Sequence, residues 1–155
     1  MSPTYERSPK ASHRETVEYE IQMLNFCFDT VMHSTAGDEK ALVDLRIEGF
    51  LLHFRNLIRC FSGQHHRDGD LSIANPGEWS KTKVSDDRVG AIKRLAKPLD
   101  DTYYRDISKY LQHCTLVRHT ESKDWDMTTM KKELDHVVAE FEAAFPRQIP
   151  TDGTR

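Results

Sequence analysis

Three polar side chains, His53, Arg55 and Asn56, lie within residues 50–58, one of the most apolar segments of the chain. Burying an imidazole, a guanidinium or an amide is costly unless each group has a hydrogen-bond partner. An imidazole titrates near neutral pH and can move a proton, and a guanidinium can hold a phosphate. The segment therefore marks a candidate site for acid–base chemistry or phosphate binding.

A second polar cluster contains His113, beside apolar residues, and Arg118, near a predicted helix end. Residues three, four and seven apart share a helix face, so His53 and Asn56 lie on one stripe and Arg55 lies off it. If the helices carrying the two clusters are neighbours, His113 faces His53 and Asn56. The alternative is a structural network between helices, with Arg55 extending to solvent and Arg118 interacting with its own helix C-terminus.

Apolar residues recur every three or four positions along most of the chain, a pattern that predicts helices. The predicted segments are residues 13–33, 38–61, 85–98, 100–119 and 125–145. Pro98 is expected to stop or kink the helix that reaches it. The sequence thus predicts an all-α fold, an antiparallel four- to five-helix bundle with a long loop, residues 62–85, between helices 2 and 3.

Composition predicts one domain with two loose ends. Residues 1–12 and 146–155 contain prolines and few apolar side chains, so we expect a flexible N-terminal arm and a flexible tail around a single helical domain, residues 13–145. The 22 basic and 25 acidic residues give a net charge of −3. This balance excludes a strong global attraction for nucleic acid, so any RNA contact requires a local basic patch.

The chain is expected to be cytoplasmic. It has no apolar stretch long enough to span a membrane, and its N-terminus lacks the apolar core of a signal peptide. Its three cysteines, Cys27, Cys60 and Cys114, form no CxxC pair. An odd number of cysteines in apolar surroundings indicates reduced, buried thiols. We therefore predict no membrane contact and no cofactor.

The pattern His-x-Arg-Asn-Leu at residues 53–57, followed by His-x-Thr-x-x-Arg at residues 113–118, resembles a group of small bacterial all-helical proteins related to the HEPN superfamily. The likeness covers about residues 15 to 145. It implies a helical bundle, a homodimer, and RNA or a nucleotide as ligand. It also implies a role in bacterial defence or toxin–antitoxin systems, because active members of the superfamily are metal-independent ribonucleases.

The chain departs from the usual catalytic element of that superfamily, an Arg separated by four to six residues from a His. Arg55 fits its start, but residues 60–62 contain no histidine, whereas Arg59 and His65 have the expected spacing. Metal-independent cleavage of RNA needs a base for the 2′-hydroxyl and a cation near the phosphate. The candidate catalytic residues are His53, Arg55, Asn56 and His113, and the candidate ligand-binding residues are Arg118, Arg59 and His65.

Two other functions stay open at this point. In the first, the chain is a non-catalytic interaction or dimerisation module, and the same polar residues fix helix register or bind a protein partner. In the second, it is a metal-dependent bundle enzyme. His65, His66, Asp68 and Asp70 supply nitrogen and oxygen ligands, but without the spacing of a closed metal site, so no metal-ligating residue is assigned.

Overall fold

Four helices make up the regular structure of the protein. The computed structural model describes residues 12–64, 70–74, 79, 84–112 and 123–147. The helices are α1 (His13–Met32), α2 (Lys40–Ser62), α3 (Asp86–Gln112) and α4 (Met127–Ala144). The predicted all-α bundle, with a long loop between helices 2 and 3, is confirmed.

Neighbouring helices run antiparallel around the bundle. α2 packs against both α1 and α3, and α4 packs against α3. The guanidinium of Arg14, early in α1, lies over the ring of Phe141, late in α4. The ammonium of Lys131, early in α4, lies near the ring of Phe28, late in α1. These cross-contacts give α1 and α4 opposite directions and complete the bundle.

The core is centred on α2, which contacts three other helices and is therefore apolar on most of its circumference. Its fully buried side chains are Phe50, Leu51, Phe54, Leu57, Ile58 and Phe61. The ring centre of Phe61 lies 4.9 Å from that of Phe141 on α4. Full burial of such a side chain stabilises the fold by roughly 1.5–3 kcal/mol. The polar residues of α2 are thus held on a rigid element.

The ends of the helices follow local sequence signals. The Ser12 side chain accepts a hydrogen bond from the Glu15 amide and begins α1, and Asp126 does the same for α4. Gly63 ends α2 with φ of 64°, a left-handed conformation that favours glycine. Farther along, the Ile73 amide donates to the Cys60 carbonyl over 3.0 Å. Residues 70–74 therefore lie against the C-terminal part of α2.

Pro98 does not stop the helix: of the two predicted alternatives, a stop or a kink, the stop is wrong, because α3 is continuous from Asp86 to Gln112 with Pro98 inside it. A proline in a helix removes one backbone hydrogen bond and crowds the preceding turn. The Pro98 ring is exposed, while Ala96 and Leu99 on either side are buried in the core. Packing of both halves of α3 offsets the local cost.

Several sequence predictions fall beyond the described residues. Residues 113–119, predicted as helix, lie outside them, and so do residues 1–11 and 148–155 of the predicted arm and tail. Within the described part of the chain, no helix has the length and apolar character needed to cross a membrane.

Candidate ligand-binding cleft

A cleft of about 470 Å³ opens beside α1, α2, α3 and residues 70–74. Its polar lining includes two arginines, Arg55 and Arg59, two acids, Glu20 and Asp70, and the amide of Asn56. Pockets that bind small molecules commonly measure roughly 300–1,000 Å³ and place a few polar groups among apolar ones. The cleft has the size and composition of a ligand site.

The α1–α2 network, defined as Glu20, His53 and Asn56, lies at one side of the cleft. Glu20 Oε2 accepts from His53 Nδ1 over 2.7 Å and from Asn56 Nδ2 over 3.1 Å. A carboxylate oxygen only accepts, so His53 carries its proton on Nδ1. The shared acceptor from α1 offsets the cost of burying His53, which is only 9% exposed.

The α2–α3 network, defined as Arg59, Ser62, Asp100 and Tyr104, contributes Arg59 and Tyr104 to the cleft lining. The Ser62 hydroxyl donates to Asp100 Oδ2 over 3.0 Å, and Arg59 Nη1 lies 3.4 Å from the same oxygen. Arg59 Cζ also lies 3.3 Å from the centre of the Tyr104 ring. The Asp100 side chain, 3% exposed, therefore holds one edge of a guanidinium that stacks on a tyrosine.

The surroundings of the cleft shift three pKa values. Burial raises the pKa of Asp100 above its ordinary 3.8, although Ser62 and Arg59 oppose that shift. Burial also favours a higher pKa for Tyr104, but Arg59, together with Ser108 and Arg55, outweighs it and the pKa is lowered from 10. Burial, with the Glu20 carboxylate adding to it, raises the pKa of the Cys60 thiol to about 12. Cys60 is therefore a protonated thiol at neutral pH and a poor nucleophile.

Two guanidinium nitrogens at the cleft lack a partner. Arg55 Nη1 and Arg59 Nε are buried and make no hydrogen bond to any described residue. A buried donor without an acceptor costs about 1–3 kcal/mol, and more when the group is charged. Both residues line the cleft, so a turn of either side chain toward it would bring the buried donor to an anionic ligand there.

The residues predicted from sequence divide into three groups. Arg55, Asn56 and Arg59 all line the cleft, although helical spacing places Arg55 off the stripe of Asn56. His53 lies behind Glu20 and is not among the described residues that line it. The other three predicted site residues, His65, His113 and Arg118, lie outside the described residues.

Sequence reasoning missed both carboxylates that organise the cleft. Glu20 lies on the apolar stripe of α1, three residues after Val17 and four before Leu24, both of which are buried. Asp100 likewise occupies a buried position of α3, four residues after the buried Ala96. An acidic residue on an apolar stripe needs a partner, and this signal points to both residues in the sequence.

Neither metal-ligand geometry nor comparison with known proteins assigns a function to further residues of the chain. No group of three or more His, Cys, Asp or Glu side chains within the described ranges is placed to hold a metal ion. Three of the potential metal ligands named from the sequence, His65, His66 and Asp68, fall in the gap at residues 65–69. No protein-family model, curated protein or solved structure matches the chain.

Proposed function

We propose that the protein binds a phosphate-containing ligand of the RNA or nucleotide class in the cleft beside α1, α2 and α3. The observation that carries this proposal is the buried Nη1 of Arg55, which has no partner among the described residues. A phosphate oxygen removes the cost of that orphaned donor through a charge-assisted hydrogen bond. The planar fork of a guanidinium matches phosphate geometry.

Arg59 supports the same ligand chemistry. It lies four residues after Arg55, so the two side chains are neighbours along α2. Its Nη1 lies near Asp100, but its Nε is buried without a hydrogen-bond partner in the described part of the chain. The cleft lining holds two guanidinium groups and two carboxylates, so anion binding there depends on the directed N–H donors of the arginines and not on a net positive charge.

Binding is the activity that this geometry supports best. The His53 ring donates a hydrogen bond from Nδ1 to Glu20. His53 is not among the described residues that line the cleft. The Cys60 thiol, which does line the cleft, has a pKa of about 12 and is not an activated nucleophile. The resemblance to the HEPN superfamily implies the same ligand class and supports RNA or a nucleotide over other phosphate compounds.

The proposal is tested by fluorescence anisotropy with a labelled single-stranded RNA oligomer at low salt. Arg55→Ala is expected to weaken binding about tenfold or more, because it removes a charge-assisted contact worth about 1.5–3 kcal/mol. The matched control is Arg94→Ala, an exposed arginine about 15 Å along α3 from Tyr104. This control should change the affinity less than about twofold. Absence of binding by the wild type, or equal weakening by the two variants, would overturn the proposal.

A second candidate function, formation of a homodimer, is favoured by large apolar side chains on the outer face of the α1–α2 pair. Phe26 is 59% exposed, Leu45 63% and Leu52 39%. α1 approaches closely at Gly49, where an added Cβ would lie 2.8 Å from Cys27 Sγ. Leu45 and Leu52 flank that contact at four and three residues from Gly49, and both side chains are exposed. A twofold axis would bury this apolar face against itself, so we propose a second copy as its occupant.

Light scattering coupled to size-exclusion chromatography measures this association. The wild type is expected to be a dimer and Leu45→Glu a monomer, because a charge in a self-complementary interface opposes an identical charge. Leu95→Glu, at a leucine 42% exposed on α3, is the control and should remain a dimer. A monomeric wild type, or a dimeric Leu45→Glu, would rule out this interface.

A further inference from the structure

Arg59 and Tyr104 form a stacking platform at one wall of the cleft. Arg59 Cζ lies 3.3 Å from the Tyr104 ring centre, and both residues line the cleft. Arg59 Nη1 is held near Asp100 Oδ2 and also donates to the Gln64 carbonyl, each over 3.4 Å. Nucleic-acid bases stack on aromatic rings and on guanidinium planes. The platform thus has the chemistry to hold a base.

Glu20 and Asn56 form a neighbouring wall of hydrogen-bond acceptors. Both partners of Glu20 bind Oε2, and Oε1 accepts no hydrogen bond from the described residues. Asn56 uses one of its two Nδ2 hydrogens on Glu20, and its Oδ1 is a further acceptor. Both side chains line the cleft. A ligand edge placed here must present N–H donors.

The platform and the acceptor wall adjoin each other. Asn56 and Arg59 are three residues apart on α2, a rise of about 4.5 Å. The two side chains therefore start from adjacent turns of one helix, and a base stacked on Arg59 would extend toward Asn56 and its partner Glu20. Arg55, also at the cleft, is then the cation for the phosphate of the same nucleotide.

We infer that the cleft selects a nucleobase with an exocyclic amino group, stacked on the Arg59–Tyr104 platform and donating to Glu20. The inference rests on the proposed function and adds the base class. Cytosine, adenine and guanine each carry such an amino group. Uracil has a carbonyl oxygen at the position where cytosine has its amino group, and that oxygen opposes the Glu20 carboxylate. The N3–H of uracil is still a donor, so the expected selectivity comes from the C4 substituent alone. The site therefore discriminates between cytosine and uracil.

The test is isothermal titration calorimetry of the full chain with CMP and UMP, a matched pair that differs only at this base edge. The wild type is expected to bind CMP about tenfold more tightly than UMP. The reason is that UMP replaces a hydrogen bond to the charged Glu20 acceptor with a repulsive contact. Glu20→Gln should reduce that ratio to within about twofold. Tyr104→Leu should weaken both nucleotides by a similar factor, because it removes the aromatic part of the platform and leaves the Glu20 edge in place.

The outcomes separate this inference from the proposed function. Equal binding of CMP and UMP by the wild type, or binding of neither, overturns the base selectivity whatever the variants do. The proposed function still stands in that case if RNA binding depends on Arg55. Loss of RNA binding altogether overturns both. The ratio of CMP affinity to UMP affinity is measured on the wild type. It therefore tests the base selectivity even if Glu20→Gln does not fold.

Discussion

The α1–α2 network and the α2–α3 network both join α2 to a neighbouring helix through a carboxylate, but they differ in what remains unpaired. Glu20, with a side chain 16% exposed, is the shared acceptor for His53 and Asn56. Asp100, with a side chain 3% exposed, leaves its own Oδ1 and Arg59 Nε buried without a partner among the described residues. In the α1–α2 network the buried polar groups have partners within the fold. In the α2–α3 network two buried polar atoms lack a hydrogen-bond partner among the described residues, and this lowers the stability of the fold beside the cleft.

The largest effect is expected from Asp100→Ala, which removes the counter-charge of Arg59 and the acceptor of Ser62. Breaking a buried ion pair from one side costs about 3–5 kcal/mol, and the partial exposure of Arg59 lowers this to about 2 kcal/mol. Urea unfolding followed by circular dichroism measures the loss. The control is Asp101→Ala, at an exposed carboxylate paired with Lys97, and should cost less than about 0.5 kcal/mol. Similar losses for the two variants would contradict the difference in burial.

A smaller loss, about 1–2 kcal/mol, is expected from Glu20→Ala, because His53 and Asn56 lose their shared acceptor but water can reach the half-buried site. The same urea experiment measures it. Glu140→Ala, at an exposed acid of α4, should be close to neutral. If Glu20→Ala lost more unfolding free energy than Asp100→Ala, the α1–α2 network would be the more important one for stability, contrary to this account.

Asp100 is also expected to make stability depend on pH with an unusual sign. Its pKa in the folded protein is raised above 3.8 by burial, so the folded state binds more protons than the unfolded state above that pH. Stability contributed by Asp100 therefore falls as pH rises from about 3.8 through the raised pKa. Urea unfolding of the wild type and Asp100→Asn over this range gives the difference. A wild type that gains stability relative to Asp100→Asn with rising pH would show that the carboxylate is stabilised by Arg59 instead.

The smallest effect concerns Cys60, which lines the cleft and lies near Glu20. With a thiol pKa of about 12, only about one molecule in ten thousand is a thiolate at pH 8, so alkylation should be slow. Peptide mass spectrometry after iodoacetamide treatment measures the rate for Cys60 in folded and urea-unfolded protein. Glu20→Gln should raise the folded rate slightly, because Glu20 adds to the raised pKa. A folded rate as fast as the unfolded one would place the thiol in solvent.

The sequence predicted the helices from the three- and four-residue spacing of their apolar side chains, and the structure adds local signals at their ends. Ser12 and Asp126 supply N-terminal caps and Gly63 a left-handed end, and each acts within a few residues. The continuation of α3 past Pro98 was not predictable in this way, because buried residues on both sides hold it against the other helices. Local preferences are routinely overridden by such packing.

The site was only partly predictable, because its contacts join helices that are distant in sequence. Arg55 and Asn56 were identified from their unusual place in an apolar segment and Arg59 from its spacing to His65, and all three line the cleft. Their carboxylate partners, Glu20 and Asp100, are separated from them by about 36 to 41 residues, and pairing depends on how each helix is rotated. Helical spacing places Arg55 about 100° from Asn56, yet the cleft is wide enough to include both.

Phosphate binding at Arg55 is tested most directly by a ¹H–¹⁵N NMR titration of the wild type with the single-stranded RNA oligomer. The side-chain amide of Asn56 and the Nε–H of Arg59 both lie at the cleft and report on its occupancy. We predict that these signals and that of the Arg55 guanidinium shift on binding, while the Arg94 signals do not. Shifts confined to residues outside the cleft, or no shift at a millimolar RNA concentration, would contradict the assignment of the cleft as the ligand site.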